Sequence, residues 1–247
     1  MPVSVAIITK NEAHNIVACI KTVQWASEIV VLDCGSTDNT TELAKNMGAK
    51  VFHRTFDTYG DQKQYAADMC TQEWVLCVDA DERISPELAN EIQEIIKKNP
   101  EANGFYLTRV NFLYGKRLKY GGVGTEKILR LFRKSVATYK NRSLHEYVEV
   151  QGKTDYLKYP FEHHSIPDLS THWEKIMKYT DIEAVRKPKY SFLRVVILPW
   201  IKFVGIFVFK LGFLDGYEGY MWARMSALSK SIRAFKAYKN AQNNTKS

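Results

Sequence analysis

The sequence predicts an α/β protein: a central, mainly parallel sheet flanked by helices, followed by an amphipathic helical extension at the C-terminus. Three observations predict it. Four short apolar runs near the N-terminus alternate with helical patterns of roughly 10–15 residues, the rhythm of a doubly wound parallel sheet. Those runs are nearly continuous in apolar character, as suits strands buried on both faces. The last quarter of the chain then changes to an apolar, aromatic and basic composition with few acids.

The first run, Val3-Ser4-Val5-Ala6-Ile7-Ile8, breaks into Thr9-Lys10-Asn11-Glu12 and then into a helix carrying Ile16, Ala18, Cys19, Ile20 and Val23. The second, Glu28-Ile29-Val30-Val31-Leu32, ends in Asp33-Cys34-Gly35-Ser36-Thr37-Asp38. That segment holds a carboxylate at the strand tip, a turn glycine and Ser/Thr/Asp to cap a helix over 39–47. Gly48 closes the helix, Lys50-Val51-Phe52-His53 is a third strand, and a helix over 61–70 leads to the fourth, residues 74–78. No G-x-G-x-x-G follows the first strand and no G-x-x-x-x-G-K-[ST] occurs, so the dinucleotide fingerprint and the P-loop are both absent. The strand tips are acidic instead: Glu12, Asp33, Asp79 and Asp81.

The fourth strand ends in Asp79-Ala80-Asp81-Glu82, three carboxylates within four residues. Their mutual repulsion costs free energy unless a cation or a donor network offsets it. In an open α/β sheet that end of the strand is where ligands bind. Two carboxylates one residue apart across a turn can both reach one hard divalent ion, whose shell substrate phosphates then complete. An acidic corner that merely caps the next helix is the plainer reading of the same residues.

Ser85-Pro86-Glu87 starts a helix that runs to about residue 99, with Ser as N-cap and Pro in the first turn. Residues 104–110 and 127–133 read as strands of a mixed extension. Between them, residues 114–124 carry four glycines with Lys116, Arg117 and Lys119. They fit either a mobile basic loop that closes over an anionic donor or an ordinary hairpin connection. His145 and Glu146 stand where a strand begins and so face opposite sides of it. Glu162-His163-His164-Ser165 follows a short strand-like piece at 156–161 and reads as a loop, whose histidines would supply a metal ligand, a phosphate contact or nothing beyond surface.

The 247 residues carry a net charge of +8, unevenly placed. Residues 186–247 hold 12 Lys+Arg against 2 Asp+Glu, whereas the preceding 185 hold 23 against 25. The last quarter therefore meets the anionic partner, with nucleic acid and anionic lipid both compatible with charge alone. Its apolar content favours lipid. Residues 192–214 form the most hydrophobic stretch, but a cation interrupts it at every eighth residue, Arg194, Lys202 and Lys210. At roughly 100° per residue these three fall within about 160° of one another. That leaves a wide apolar face, as in a helix lying in a membrane interface and kinked at Pro199; a buried core helix pair is the alternative. A further basic helix over 217–238 extends that surface, and residues 240–247 read as a disordered polar tail. The four cysteines show no metal spacing and no signal-peptide pattern opens the chain, so reduced, packed thiols in a cytoplasmic protein are expected.

The chain resembles a family 2 glycosyltransferase of the GT-A fold. The resemblance is carried by Val5-Ala6-Ile7-Ile8-Thr9-Lys10-Asn11-Glu12, by Val30-Val31-Leu32-Asp33-Cys34-Gly35-Ser36-Thr37-Asp38 and by Val78-Asp79-Ala80-Asp81-Glu82, in that order. Leu144-His145-Glu146, Glu162-His163-His164-Ser165 and Gly212-Phe213-Leu214-Asp215-Gly216 resemble a narrower branch, the bacterial lipopolysaccharide inner-core β-glucosyltransferases. The resemblance implies a GT-A domain over 1–165; composition adds a membrane-associating extension over 166–240 and a tail over 241–247. It implies a nucleotide-sugar donor, most simply a UDP-sugar such as UDP-glucose, with Mg²⁺ or Mn²⁺ and inversion at the anomeric carbon. The acceptor would be a lipid-linked or lipopolysaccharide glycan, met on the inner face of the bacterial inner membrane, with an anionic membrane surface and no nucleic acid as partner.

By the same resemblance the backbone around Thr9, with Glu12 and Asp33, would hold the nucleoside, Asp79 would lie near ribose and metal, and Asp81 would ligate the metal. His163 joins metal or diphosphate, and Lys63 and Arg130 are candidate diphosphate contacts. Many relatives place the general base in a Thr/Glu-Asp pair after the Asp-x-Asp unit; no such pair stands here, and Glu126 is a loose match. Glu146 is the expected base, with His145 as its orienter or a phosphate contact. Two rival readings are a nucleotidyltransferase, which wants a Gly-rich basic loop after the first strand, and a non-catalytic membrane-surface module with a structural cation.

Overall fold

The computed structural model describes residues 3–142, 145–185 and 192–243, with side chains at 3–140, 146–181 and 195–239. The chain forms two compact units, Met1–Val110 with Glu126–His163, and Asn111–Thr125 with His164–Ser247.

In the first unit β1 (Val3–Thr9), β2 (Glu28–Asp33), β3 (Lys50–His53) and β4 (Trp74–Asp79) are parallel. They are joined by α1 (Ala13–Thr22), α2 (Thr40–Asn46) and α3 (Tyr59–Asp68). The chain continues through β5 (Glu82–Ile84), α4 (Pro86–Lys97), β6 (Gly104–Leu113), β7 (Lys116–Arg117), β8 (Glu126–Arg133), β9 (Ala137–Arg142), β10 (His145–Val150) and β11 (Thr154–Ile166). The main sheet has the order β3-β2-β1-β4-β8-β6-β11-β5. Its parallel half is the doubly wound part expected from the apolar runs. The mixed extension is antiparallel at β4–β8, β8–β6 and β11–β5.

Side-chain alternation explains why these strands read as unbroken apolar runs. Val3, Val5, Ile7, Val31, Leu76 and Val78 pack on one face against Ile16 and Ile20 of α1 and Leu88 and Ile92 of α4. Ala6, Val30, Leu32, Val75 and Cys77 pack on the other against Ala66 and Ala67 of α3 and Ala137 and Val148 of the β9–β10 hairpin. With both faces covered, every position along the strand is a core position. Each fully buried aliphatic side chain contributes about 1.5–3 kcal/mol. Cys19, Cys34, Cys70 and Cys77 are all buried free thiols, as the packed-thiol reading expects.

One local expectation changes. The two histidines are not in a loop: β11 extends through Ile166, so His163 and His164 are neighbours in a strand and face opposite ways. The pairing Phe161↔Ile84, Glu162↔Arg83 and His163↔Glu82 holds them there, through a partner strand of three residues too short to show in the sequence pattern.

In the second unit residues 114–124 are a hairpin connection, the plainer of the two readings. β7 pairs with the end of β6, Leu118 is buried with Leu113 and Ile166, and Asp215 accepts backbone N–H bonds from Lys119 and Tyr120 at 3.1 and 2.8 Å. The helices are α5 (Leu169–Val185), α6 (Phe192–Val204) and α7 (Gly216–Asn243). α6 contains Pro199 and runs on into a π-helical turn, Gly205–Phe209, then a 3-10 turn, Gly212–Asp215. A methyl group on Gly219 would sit 2.0 Å from the Gly212 carbonyl oxygen, so this close approach of α7 to the turn requires glycine. Among the described residues no single helix is long and apolar enough to cross a membrane. The segments Val195–Phe209 and Gly212–Lys239, bent by 69°, pass that test only together. α7 continues through Asn243, so its helix includes the first residues of the expected polar tail; 244–247 lie outside the described residues.

Candidate active site

The tips of β1 and β2 are knitted to each other. Asn11, at φ 56°, donates its backbone N–H to Ser36 Oγ (2.8 Å) and accepts one from Thr37 through Oδ1 (2.8 Å). The N–H of Glu12 reaches Thr40 Oγ1 (2.8 Å) and that of Ala13 reaches Asp38 Oδ2 (3.1 Å). The two segments singled out in sequence are therefore one interlocked loop pair. Asp33 Oδ2 accepts the N–H groups of Gly35 and Ser36, each at 3.0 Å, and Oδ1 accepts the Ser36 hydroxyl. Burial raises the Asp33 carboxyl, but Ser36 and Gly35 outweigh it and hold the group below the usual carboxylate range. A groove of about 330 Å³ lies here, lined by Lys10, Asp33, Cys34, Gly35, His53 and Arg54. Glu12 Oε2 accepts from Asn15 Nδ2 at 2.8 Å, while Thr9 Oγ1 is buried without a hydrogen-bond partner.

At the tip of β4 the carboxylates do not stand as a repelling trio. Ala80 and Asp81 form the turn into β5, and Glu82 Oε2 accepts the N–H of Asp79 (2.8 Å). Arg130, from β8, donates through Nη2 to both Asp79 Oδ2 and Glu82 Oε1 at 2.7 Å. Lys63, from α3, donates to Glu146 Oε1 (2.9 Å) and Asp79 Oδ2 (3.3 Å). Its ammonium also lies 3.1 Å from Asp79 Oδ1, outside hydrogen-bond alignment, so that buried oxygen has no hydrogen-bond donor. Lys63 and Arg130 are each only 5% exposed by side chain. Burial would raise Asp79, but Arg130 and Lys63 hold it far below the ordinary range. Burial pushes Glu82 up to about 7 against the pull of Arg130, and the Asp79 charge adds to the rise. This is the donor network that offsets the repulsion expected from sequence.

The structure thus brings Asp79, Lys63, Arg130 and Glu146 into one cluster, with Glu82 as a hub that sequence reasoning had left without a role. Lys63 and Arg130 serve as counter-ions inside it. Glu126 stands apart in an exposed pair with Arg109 (2.7 Å). His145 opens β10, paired in register with Arg142, and its side chain lies outside the described residues. Arg83, also missed, ties the corner to α1 by donating to Ala80 O and Asn15 Oδ1, each at 2.9 Å.

Asp81 and His163 meet at the same corner, Oδ2 to Nε2 at 3.4 Å, both side chains less than one-fifth exposed. His164, on the other face of the strand, stacks on Phe112 with ring centroids 4.7 Å apart. Adjacent ligands of an octahedral ion with bonds of about 2.1 Å lie about 3 Å apart, so Asp81 and His163 are spaced to share one Mg²⁺ or Mn²⁺. Asp79, two residues before Asp81, offers a further carboxylate at the tip of β4, though it already neutralises two cations. Among the described residues no three His, Cys, Asp or Glu side chains form a closed metal cage. The arrangement fits an ion whose shell a diphosphate completes.

Residues 4–157 match the family described as glycosyl transferase family 2. A glycosyltransferase of Rickettsia typhi is 28% identical over 95% of this chain and 86% of its own. The lipopolysaccharide core biosynthesis glycosyltransferase LpsC of Rhizobium meliloti is 26% identical over 96% of this chain and 92% of its own. Among solved structures, glucosyl-3-phosphoglycerate synthase of Mycobacterium tuberculosis aligns at 20% identity and a TM-score of 0.37, over 46% of this chain and 44% of that one. Mannosyl-3-phosphoglycerate synthase of Rubrobacter xylanophilus aligns at 22% and 0.39, over 46% and 41%. The match thus spans less than half the length of those two structures. The family match covers most of the chain and all three acidic strand tips: this protein belongs to glycosyltransferase family 2.

Proposed function

We propose that the protein is an inverting, Mg²⁺- or Mn²⁺-dependent hexosyltransferase that moves glucose from UDP-glucose onto a heptose of the lipopolysaccharide inner core. It would work as a peripheral protein on the inner face of the bacterial inner membrane. The observation that carries the chemistry is the bridge Glu146–Lys63–Asp79, which holds a carboxylate from β10 against the ligand-binding tip of β4. The acceptor class is supported by the full-length similarity to LpsC, and the donor by the branch resemblance at 144–146, 162–165 and 212–216.

In this reading the nucleoside rests in the groove beside Asp33. The buried Thr9 Oγ1, which has no hydrogen-bond partner, takes up one of its polar groups, since an orphaned buried atom of this kind calls for a partner. Asp81 and His163 would hold the cation, which when bound would supply Lewis-acid stabilisation of the departing diphosphate. Glu146 accepts the proton of the acceptor hydroxyl as that oxygen bonds to the anomeric carbon and the bond to the UDP oxygen breaks on the opposite face. Lys63 fixes where Glu146 stands, and Arg130 with Glu82 fixes Asp79.

A thermal-shift panel of UDP-, GDP- and TDP-sugars with and without Mn²⁺ tests the donor. Stabilisation by UDP-glucose that requires Mn²⁺ is expected. Asp81→Ala should abolish turnover while leaving the circular dichroism spectrum intact; wild-type rates in that variant would remove the metal role.

A further inference from the structure

In the second unit α6 and α7 enclose a groove of about 450 Å³, a volume in the range of ligand sites. Trp200 and Phe203 line it from α6, and Tyr220, Met221, Arg224 and Leu228 from α7. None of these side chains takes part in the chemistry proposed for the acidic tips. Trp200, in the lining, is 64% exposed, and outside it Ile201 of the same helix is 60% exposed and Phe209 of the following turn 81%. Exposed apolar area on that scale marks a surface that something covers.

Charge selects the occupant. Residues 192–243 carry eight Lys and Arg side chains and only two acids. Both acids are engaged internally, Asp215 by the N–H groups of Lys119 and Tyr120, and Glu218 by Lys116 at 3.1 Å. A second copy of this chain would set one cationic surface against another. Nucleic acid would satisfy the charge and leave the apolar floor uncovered. An anionic amphiphile satisfies both, since its tail matches the floor and its phosphate matches the guanidinium of Arg224 at the wall.

We propose that the α6–α7 groove binds one acyl chain of an anionic membrane phospholipid, with the lipid phosphate on Arg224. The inference deepens the membrane placement proposed above and is independent of the donor and metal assignments.

The full chain is bound to phosphatidylglycerol vesicles whose acyl chains carry bromine, and tryptophan emission is compared with that on phosphatidylcholine vesicles. Quenching on the anionic vesicles is expected, and most of it should vanish in Trp200→Phe. Arg224→Gln should weaken partitioning about fivefold, the effect of one basic side chain near anionic lipid. Leu228→Glu, at an exposed position, should weaken it about tenfold with unchanged circular dichroism and unchanged donor hydrolysis. Quenching that survives Trp200→Phe, or partitioning that Leu228→Glu leaves alone, overturns the groove. So does a lipid-free dimer that Leu228→Glu dissociates. Loss of donor hydrolysis in every form, with Trp200 quenching intact, would instead sink the enzymatic reading and leave the groove standing.

Discussion

Lys63→Met removes the ammonium between Asp79 and Glu146 while keeping most of the apolar stem. The nitrogen lies 2.9 Å from Glu146 Oε1 and 3.1 Å from Asp79 Oδ1, and the side chain is 5% exposed. At an effective dielectric constant of about 20, a unit pair near 3 Å attracts by roughly 5 kcal/mol before desolvation is subtracted. Removing one partner of a buried pair costs about 3–5 kcal/mol. Asp79 keeps Arg130 at 2.7 Å and the Glu146 side chain is 25% exposed, so the lower end, about 3 kcal/mol, is expected. The catalytic consequence follows from position: the variant lacks the ammonium that holds Glu146 against the tip of β4, so kcat should fall while donor affinity changes little. Lys63→Arg keeps a charged donor there and should restore part of kcat. Guanidinium unfolding, kcat and donor calorimetry of both variants are the assays. A stability loss below about 1 kcal/mol, together with an unchanged kcat in Lys63→Met, would refute Lys63 as the positioning residue of the base.

Glu146→Gln should lower kcat by about 10²–10⁴, the usual worth of a general base, with donor affinity unchanged by calorimetry; normal transfer would move the base elsewhere. Arg130→Met leaves Asp79 and Glu82 buried together without their shared cation, and should cost about 3–5 kcal/mol by denaturant unfolding. Glu28 accepts from Ser4 Oγ (2.6 Å), Thr71 N (2.7 Å) and Lys50 Nζ (2.7 Å), and these bonds outweigh burial to lower its carboxyl to about 2. A depressed carboxyl contributes stability that is complete above its ordinary value and is lost as pH falls. Glu28→Gln should therefore cost up to about 3 kcal/mol at neutral pH and flatten the stability profile between pH 4.5 and 2.

The parallel half of the sheet was legible because both faces of β1, β2 and β4 are covered, which leaves unbroken apolar runs that nothing else explains. β5 was not, since three residues carry no periodicity, nor β9, whose Ala137-Thr138-Tyr139-Lys140-Asn141-Arg142 is mostly polar. The acidic tips were visible, but their partners were not. Lys63 and Glu146 are 83 residues apart, and Arg130 is 48 from Glu82, so nothing local announces either pair. Glu82 was legible only as one of three crowded carboxylates, because the hub it forms exists only once β8 lies beside β4. The histidines were misplaced for a similar reason: the polar run Glu162-His163-His164-Ser165 becomes strand through pairing with β5, not through its own propensity.

The counter-ions within the first unit bear on how a charged donor arrives. Lys63 and Arg130 are set among four carboxylates, Asp79, Glu82 and Glu146 in direct contact with them and Asp81 beside His163. A diphosphate approaching the corner therefore meets carboxylate as well as cation, and the ion that Asp81 and His163 would hold tips that balance in its favour. Donor affinity should accordingly fall when divalent metal is withdrawn, even though the chain as a whole is strongly cationic.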